Sequence, residues 1–296
     1  MDERTRLPRS VRTIAQGGLG FIEGPVFAAD GTLYVTSITQ GGVYRVDLDG
    51  AVDLFADTGG GCNGATAAYD GSLLLAQNGG RRMWDGPVFP PATTGIQRIG
   101  EDGGITWVSQ DPITPNDLRL GPDGLLYVTD PTRSLAMNDG RLWRIDPDNG
   151  AAELLVSVPW FPNGITFGPD DRLYVGDTGE GVVYAAEVGP DGALGTLEPA
   201  VTLVHGHPDG IAFDANGDLV VCAVELDGAP GTVQTWALDG QQVDEFVLGR
   251  GSFPTNLSFV PDGSDTVILT FADLEEVVVV ENWGVGGLAP HPFRSR

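Results

Sequence analysis

The sequence predicts an all-β fold, a six-bladed β-propeller, from three observations. One block recurs along the chain: Pro-Asn/Asp-Gly/Asp, a short apolar stretch, a Pro-Asp-Gly turn or its equivalent, then Leu-Tyr-Val. It reads Pro115-Asn116-Asp117-Leu118, Pro162-Asn163-Gly164-Ile165 and Pro208-Asp209-Gly210-Ile211, with weaker copies at Glu23-Gly24-Pro25-Val26, Asn63-Gly64-Ala65 and Pro254-Thr255-Asn256-Leu257. Taking Glu23, Asn63, Asn116, Asn163, Asp209 and Thr255 as equivalent, the successive steps are 40, 53, 47, 46 and 46 residues, a spacing that matches a propeller blade of several short strands. Finally, no stretch of twelve or more residues has the 3.6 periodicity of a helix.

The elements follow in order. In blade one Gly24 to Ala28 is the expected inner strand, and Asp30-Gly31 turns into Thr32 to Ser37. Gln40-Gly41-Gly42 then turns into Val43 to Asp47, and Asp49-Gly50 into Ala51 to Ala56. Asp-Gly and Gly-Gly supply the positive φ that tight hairpins need. Blades three to five repeat the scheme, with Asp123-Gly124, Asp170-Asp171 and Asn216-Gly217 at the first turn. The last repeat gives only Asn256 to Val260, Thr266 to Phe271 and Glu276 to Val280. The segment Val11 to Ala15 has the character of an outer strand and is expected to complete that blade, removing an exposed edge. The long step in blade two contains Met83 to Pro91, in which Trp84 and Phe89 either overhang the channel mouth or pack on their own blade.

Hydrophobic residues make up 41% of the 296-residue chain, enough for a core, and the repeats imply a single domain over residues 1–296. The 44 glycines and 21 prolines fall at turns of the repeat rather than in a low-complexity tract. The net charge is −25 and every basic residue is arginine, so neither nucleic acid nor an anionic membrane is expected as a partner. No apolar run approaches the length of a membrane span, and Met1 to Arg6 leads into no apolar signal core. With Cys62 and Cys222 in different repeats, two free thiols and a cytoplasmic location are expected.

A propeller brings equivalent positions of its blades together around one channel. Glu23, Asn116, Asn163 and Asp209 each stand at the opening of an inner strand, and all inner strands run the same way. The four side chains are therefore expected to converge at one channel end. Two carboxylates balance a divalent charge and two amide carbonyls add neutral oxygens, a set suited to a hard cation such as Ca²⁺ or another divalent ion. Pro-Asn-Gly and Pro-Asp-Gly are also ordinary turn chemistry, but Glu23 is a poor turn former.

These same residues, together with Leu173-Tyr174-Val175, resemble the senescence-marker-protein/gluconolactonase family of six-bladed propellers, which includes calcium-dependent lactonases. The resemblance covers nearly the whole chain from Arg12 onward. It implies that Glu23, Asn116, Asn163 and Asp209 are ligands of a catalytic metal and that Asp209 is also the base or nucleophile. Two departures bear on the substrate. Sugar-lactonase members carry an arginine where this chain has Thr114, and the Glu-His-Gly of bacterial members is replaced by Gln77-Asn78-Gly79, followed by Gly80-Arg81-Arg82.

The expected function is calcium-dependent hydrolysis of a small-molecule lactone less polar than an aldonolactone. A phosphotriesterase-like activity at the same metal and a non-catalytic propeller with a structural cation are the alternatives. Asp117 is either a second base or a group orienting Asn116. Trp160 and Phe161 either face the pocket or pack between blades, and His207 stands beside the metal or in the pocket; the counter-reading on substrate is that Arg81 or Arg82 takes over the role of the missing arginine. His205-Gly206-His207 lacks a third ligand for zinc. Gly59, Gly61 and Gly64 match a dinucleotide fingerprint in spacing only, since no helix follows.

Overall fold

The computed structural model describes residues 7–80, 93–131 and 138–289, and among these there is no helix. Strand β1 (Ser10–Gln16) comes first. Blade one is β2 (Ile22–Phe27), β3 (Leu33–Ser37), β4 (Gly42–Val46) and β5 (Val52–Asp57); blade two is β6 (Cys62–Ala67), β7 (Leu73–Gln77), β8 (Gly95–Ile99) and β9 (Ile105–Ser109). Blade three is β10 (Leu118–Leu120), β11 (Leu126–Asp130), β12 (Gly140–Ile145) and β13 (Ala152–Val158). Blade four is β14 (Pro162–Phe167), β15 (Leu173–Asp177), β16 (Val182–Ala186) and β17 (Glu198–Thr202); blade five is β18 (His207–Phe213), β19 (Leu219–Val224), β20 (Thr232–Trp236) and β21 (Gln242–Val247). Blade six is β22 (Pro254–Phe259), β23 (Val267–Phe271) and β24 (Glu276–Glu281), completed by β1.

The six sheets are four-stranded and antiparallel, and the inner strands touch in sequence, β2 on β6, β6 on β10 and so on until β22 returns to β2. That contact closes the ring. β1 pairs along β24 from Ser10↔Glu281 to Gln16↔Glu276, so the predicted closing strand is present. Arg9 extends the clasp. Its guanidinium pairs with Asp244 of blade five and lies 4.2 Å from the centre of the Trp283 ring, a cation over an aromatic face.

The core lies between blades rather than within one. Val43, Ala56 and Cys62 pack with Leu73 and Leu75 at the junction of blades one and two, and Val220 and Cys222 pack with Leu257 and Leu269 at that of five and six. The Leu-Tyr-Val signature serves these junctions. Tyr127 and Tyr174 donate their hydroxyls to Asp123 and Asp170 in the preceding turns, at 3.0 and 2.9 Å, while their rings meet Phe167 and Phe213 of the next blade edge-on. At the first turn, blade four uses a non-glycine residue at positive φ: Asp171, at 61°, stands where Gly31, Gly124 and Gly217 stand in their blades.

Candidate functional site

The ring residues do not precede their strands as the repeat suggests. Glu23, Asn163 and Asp209 lie inside β2, β14 and β18, and only Asn116 stands before its strand, β10. The reason is a bulge at the start of the inner strand. Asn163-Gly164 together oppose Gly176, Asp209-Gly210 oppose Cys222, and Asn63-Gly64 oppose Ala76. A bulge places two residues against one and re-aims a side chain without ending the strand. The glycines that follow the ring residues make room for the next blade. A Cβ on Gly64 would lie 2.8 Å from Asp117 Cα, and one on Gly164 would lie 2.1 Å from the carbonyl oxygen of Asp209.

Glu23, Asn116, Asn163 and Asp209 are all buried. Burial first, and then the Asp117 charge, push the Glu23 carboxyl up to about 8, although its Oε2 accepts from the Gly24 N–H at 3.3 Å. Burial raises Asp209 well above the usual carboxylate range as well, and the charges of Glu23 and Asp117 add to the shift. The Asn163 side chain acts in the opposite direction and lowers it, while its Nδ2 donates to Thr178 Oγ1 at 2.9 Å. Thr178 Oγ1 in turn donates to the carbonyl of Pro208 at 2.8 Å, so blade four grips the strand that carries Asp209. With its Nδ2 donating to Thr178, Asn163 keeps its carbonyl oxygen for another partner.

Asp117 is compensated differently. Its Oδ1 accepts from Leu118 N–H at 2.8 Å and its Oδ2 from Ile165 N–H of blade four at 3.4 Å, while the Arg119 guanidinium offsets part of the burial that raises it. Asn256, at the matching position of the opposite blade, fixes its Oδ1 on Leu257 N–H at 2.9 Å. Its amide lowers the proton affinity of both the Glu23 and the Asp117 carboxyl. Glu23 and Asp209 have no such cationic neighbour among the described residues.

The other sequence-predicted residues are placed as follows. Thr114 is buried, donating its N–H to Asp130 Oδ1 at 2.6 Å and its hydroxyl to the Pro131 carbonyl. Trp160 stacks on Tyr184 of its own blade at 5.0 Å and 14°, and Phe161 is buried. The Nδ1 of His207 donates to the Thr178 carbonyl at 2.6 Å. Arg81, Arg82, Trp84 and Phe89 lie outside the described residues. His205 does not join His207; it sits exposed between Glu225 and Glu245. Cys62 and Cys222 are free and buried.

Sequence reasoning missed Asn256, Thr178, Arg119 and Asp130. Asp130 is fully buried and takes Ile113 N–H, Thr114 N–H, Arg141 Nε and Trp143 Nε1, anchoring the segment that leads into Asn116. A signal for Asn256 was available: it and Asp117 are the two residues that stand where the other four blades have glycine.

The donor set fits a hard divalent cation. Two buried carboxyls, Glu23 and Asp209, have no positive partner among the described residues, and Asn116 and Asn163 stand at equivalent positions of the ring. Among the described residues no three His, Cys, Asp or Glu side chains form a ligand group, so the set is a carboxylate pair supplemented by amides, which favours an oxygen-seeking ion over zinc.

The sequence profile of the SMP-30/gluconolactonase/LRE-like region matches residues 21–273. The chain belongs to this family. No curated protein matches it at significant similarity. Among solved structures, a candidate gluconolactonase is 25% identical with a TM-score of 0.73, over 96% of this chain and 95% of the other. A gluconolactonase from Xanthomonas campestris is 22% identical with a TM-score of 0.75, over 93% and 90%. Regucalcin from Agrobacterium tumefaciens, described as a calcium-binding protein, is 19% identical with a TM-score of 0.76, over 97% and 98%. At those last two identities the likeness establishes the propeller fold of this SMP-30/gluconolactonase family member and no more.

Proposed function

We propose that this protein is a calcium-dependent lactonase whose preferred substrates are less polar than sugar aldonolactones. The observation that carries the reading is the Glu23–Asp209 pair, two carboxyls whose proton affinity burial raises, with the Glu23 charge adding to the rise of Asp209, beside amides at equivalent ring positions. Family membership and the gluconolactonase-like neighbours support the lactone chemistry, and the calcium-binding neighbour supports the choice of ion.

Glu23, Asn116, Asn163 and Asp209 would hold the cation, which when bound supplies Lewis-acid polarisation of the lactone carbonyl. The chain supplies the proton transfers. One Asp209 oxygen takes a proton from the attacking water as the water oxygen bonds to the carbonyl carbon. The same oxygen returns that proton to the ring oxygen as the ring C–O bond breaks, giving a hydroxy acid. Asn163 helps to position Asp209 through Thr178, which takes its amide and donates to the Pro208 carbonyl. Asp117, with both oxygens on backbone N–H groups, positions the inner strands of blades three and four.

The lower substrate polarity follows from Thr114. Both its N–H and its hydroxyl are engaged within blade three, so neither serves a sugar hydroxyl. The test is hydrolysis of a lactone panel by the purified protein, read with a pH indicator because ring opening releases acid. Chelator should abolish turnover and calcium restore it. Absence of turnover across the panel, with calcium still bound, would instead mark a binding scaffold with a structural cation.

A further inference from the structure

Asn63 holds the ring position of blade two, equivalent to Glu23, Asn116, Asn163 and Asp209 by the register of its bulge. It is 1% exposed, and neither its amide nitrogen nor its carbonyl oxygen has a hydrogen-bond partner among the described residues. Thr255, the blade-six equivalent, is spent on the fold: its hydroxyl donates to the Ile22 carbonyl at 2.9 Å. Asn63 does no comparable work.

Its surroundings place it between two residues of the proposed cation site. On one side Gly24, adjacent to Glu23, packs so closely that a Cβ there would lie 2.9 Å from the Asn63 carbonyl oxygen of the main chain. On the other, Gly64 N–H donates to the Asn116 carbonyl at 2.7 Å. A buried polar side chain without a partner calls for a ligand, because the fold alone would be better served by an apolar residue there. Two occupants compete, the lactone and the ion. The amide is more deeply enclosed than Asn163 or Asp209, which are 6% and 7% exposed. A bare cation reaches an oxygen at roughly 2.3–2.6 Å and fits such a place better than an organic ring.

We infer that Asn63 is a fifth oxygen donor to the cation, its carbonyl joining Glu23, Asn116, Asn163 and Asp209. The inference rests on the cation site proposed above. Calcium accepts roughly 6–8 oxygens, so the four predicted side chains leave room for another.

The experiment compares full-length wild type, Asn63→Ala, Asn63→Asp and Asp209→Asn, each stripped with chelator. Calcium affinity is measured by calorimetry, and the melting temperature is measured with and without calcium. Asn63→Ala should weaken calcium binding by about tenfold or more. Its melting temperature in chelator should be unchanged or higher, since two unpaired polar atoms are gone, while the rise on adding calcium shrinks. Asn63→Asp keeps an oxygen donor and should bind calcium at least as tightly as wild type, although another buried carboxyl lowers its melting temperature in chelator. If Asn63→Ala retains wild-type affinity while Asp209→Asn loses it, the role of Asn63 is overturned and the cation site stands. If wild type binds no calcium, both fall. Should Asn63→Ala fail to fold, Asn63→Asp decides: weaker calcium binding than wild type overturns the inference.

Discussion

The main-chain N–H of Gly64 donates to the carbonyl oxygen of Asn116 at 2.7 Å, joining blades two and three at the ring itself. The contact is possible because Gly64 has no Cβ: one there would lie 2.4 Å from Asp117 Oδ1 and 2.9 Å from the Asn116 oxygen. Gly64→Ala should therefore cost about 1–3 kcal/mol of stability through overpacking. It should also weaken calcium binding by shifting Asn116. Thermal unfolding and calorimetry check both, and a variant with wild-type values on each would show that the junction tolerates a methyl group.

The Glu23 carboxyl sets a pH dependence with a definite sign. Its pKa rises from the usual 4.5 to about 8 in the fold. Between those values the unfolded chain has lost a proton that the folded, cation-free protein keeps, so stability in chelator falls as pH rises through this window and levels off above it. Asp209 shifts in the same direction and steepens the fall. Bound calcium satisfies the ionised forms, so its stabilising increment should grow with pH. Melting temperatures measured across this range, with chelator and with calcium, test the sign; Glu23→Gln should flatten the chelator curve.

Removing either charge of the pair leaves a divalent ion under-neutralised. Glu23→Gln and Asp209→Asn should each weaken calcium binding by at least about tenfold. Both should melt higher than wild type in chelator at neutral pH, because each removes a buried carboxyl that the cation-free fold must protonate. Wild-type calcium affinity in both variants would remove them from the site.

Deleting residues 1–16 reopens the β24 edge, takes away Ile14 and Ala15 from the core between blades six and one, and releases Arg9. The melting temperature should fall sharply. Arg9→Ala should cost about 1 kcal/mol, or roughly 2–4 °C, from the lost ring and Asp244 contacts. An unchanged melting temperature on deletion would mean the ring closes without its clasp.

Substrate preference turns on donors. A site with few fixed donors gains little from sugar hydroxyls yet must still desolvate them. An unsubstituted alkyl δ-lactone and dihydrocoumarin should therefore exceed glucono-δ-lactone in kcat/KM by about tenfold or more. A clear preference for the sugar lactone reverses the assignment and points to a donor other than Thr114.

The repeat itself was enough to locate six inner strands and the unpaired last blade, because hairpin turns and alternating apolar stretches are local signals that each blade displays on its own. β1 along β24 follows from the same count, as an edge that needs covering. That Glu23, Asn116, Asn163 and Asp209 occupy equivalent, buried positions of their blades was legible too, since the repeat aligns them. Their placement within the strands was not. Only the pairing of β14 with β15 and of β18 with β19 reveals the bulges that turn Asn163 and Asp209 toward the channel. The division of labour among the carboxyls was likewise beyond the sequence. Asp117 and Asp209 both sit in a Pro-Asn/Asp block, yet Arg119 and two backbone N–H groups offset part of the burial of the first, while burial and then the Glu23 charge raise the second. Charge, desolvation and hydrogen bonding act across the ring between residues far apart in the chain, so tertiary structure alone decides which carboxyl is compensated and which is not.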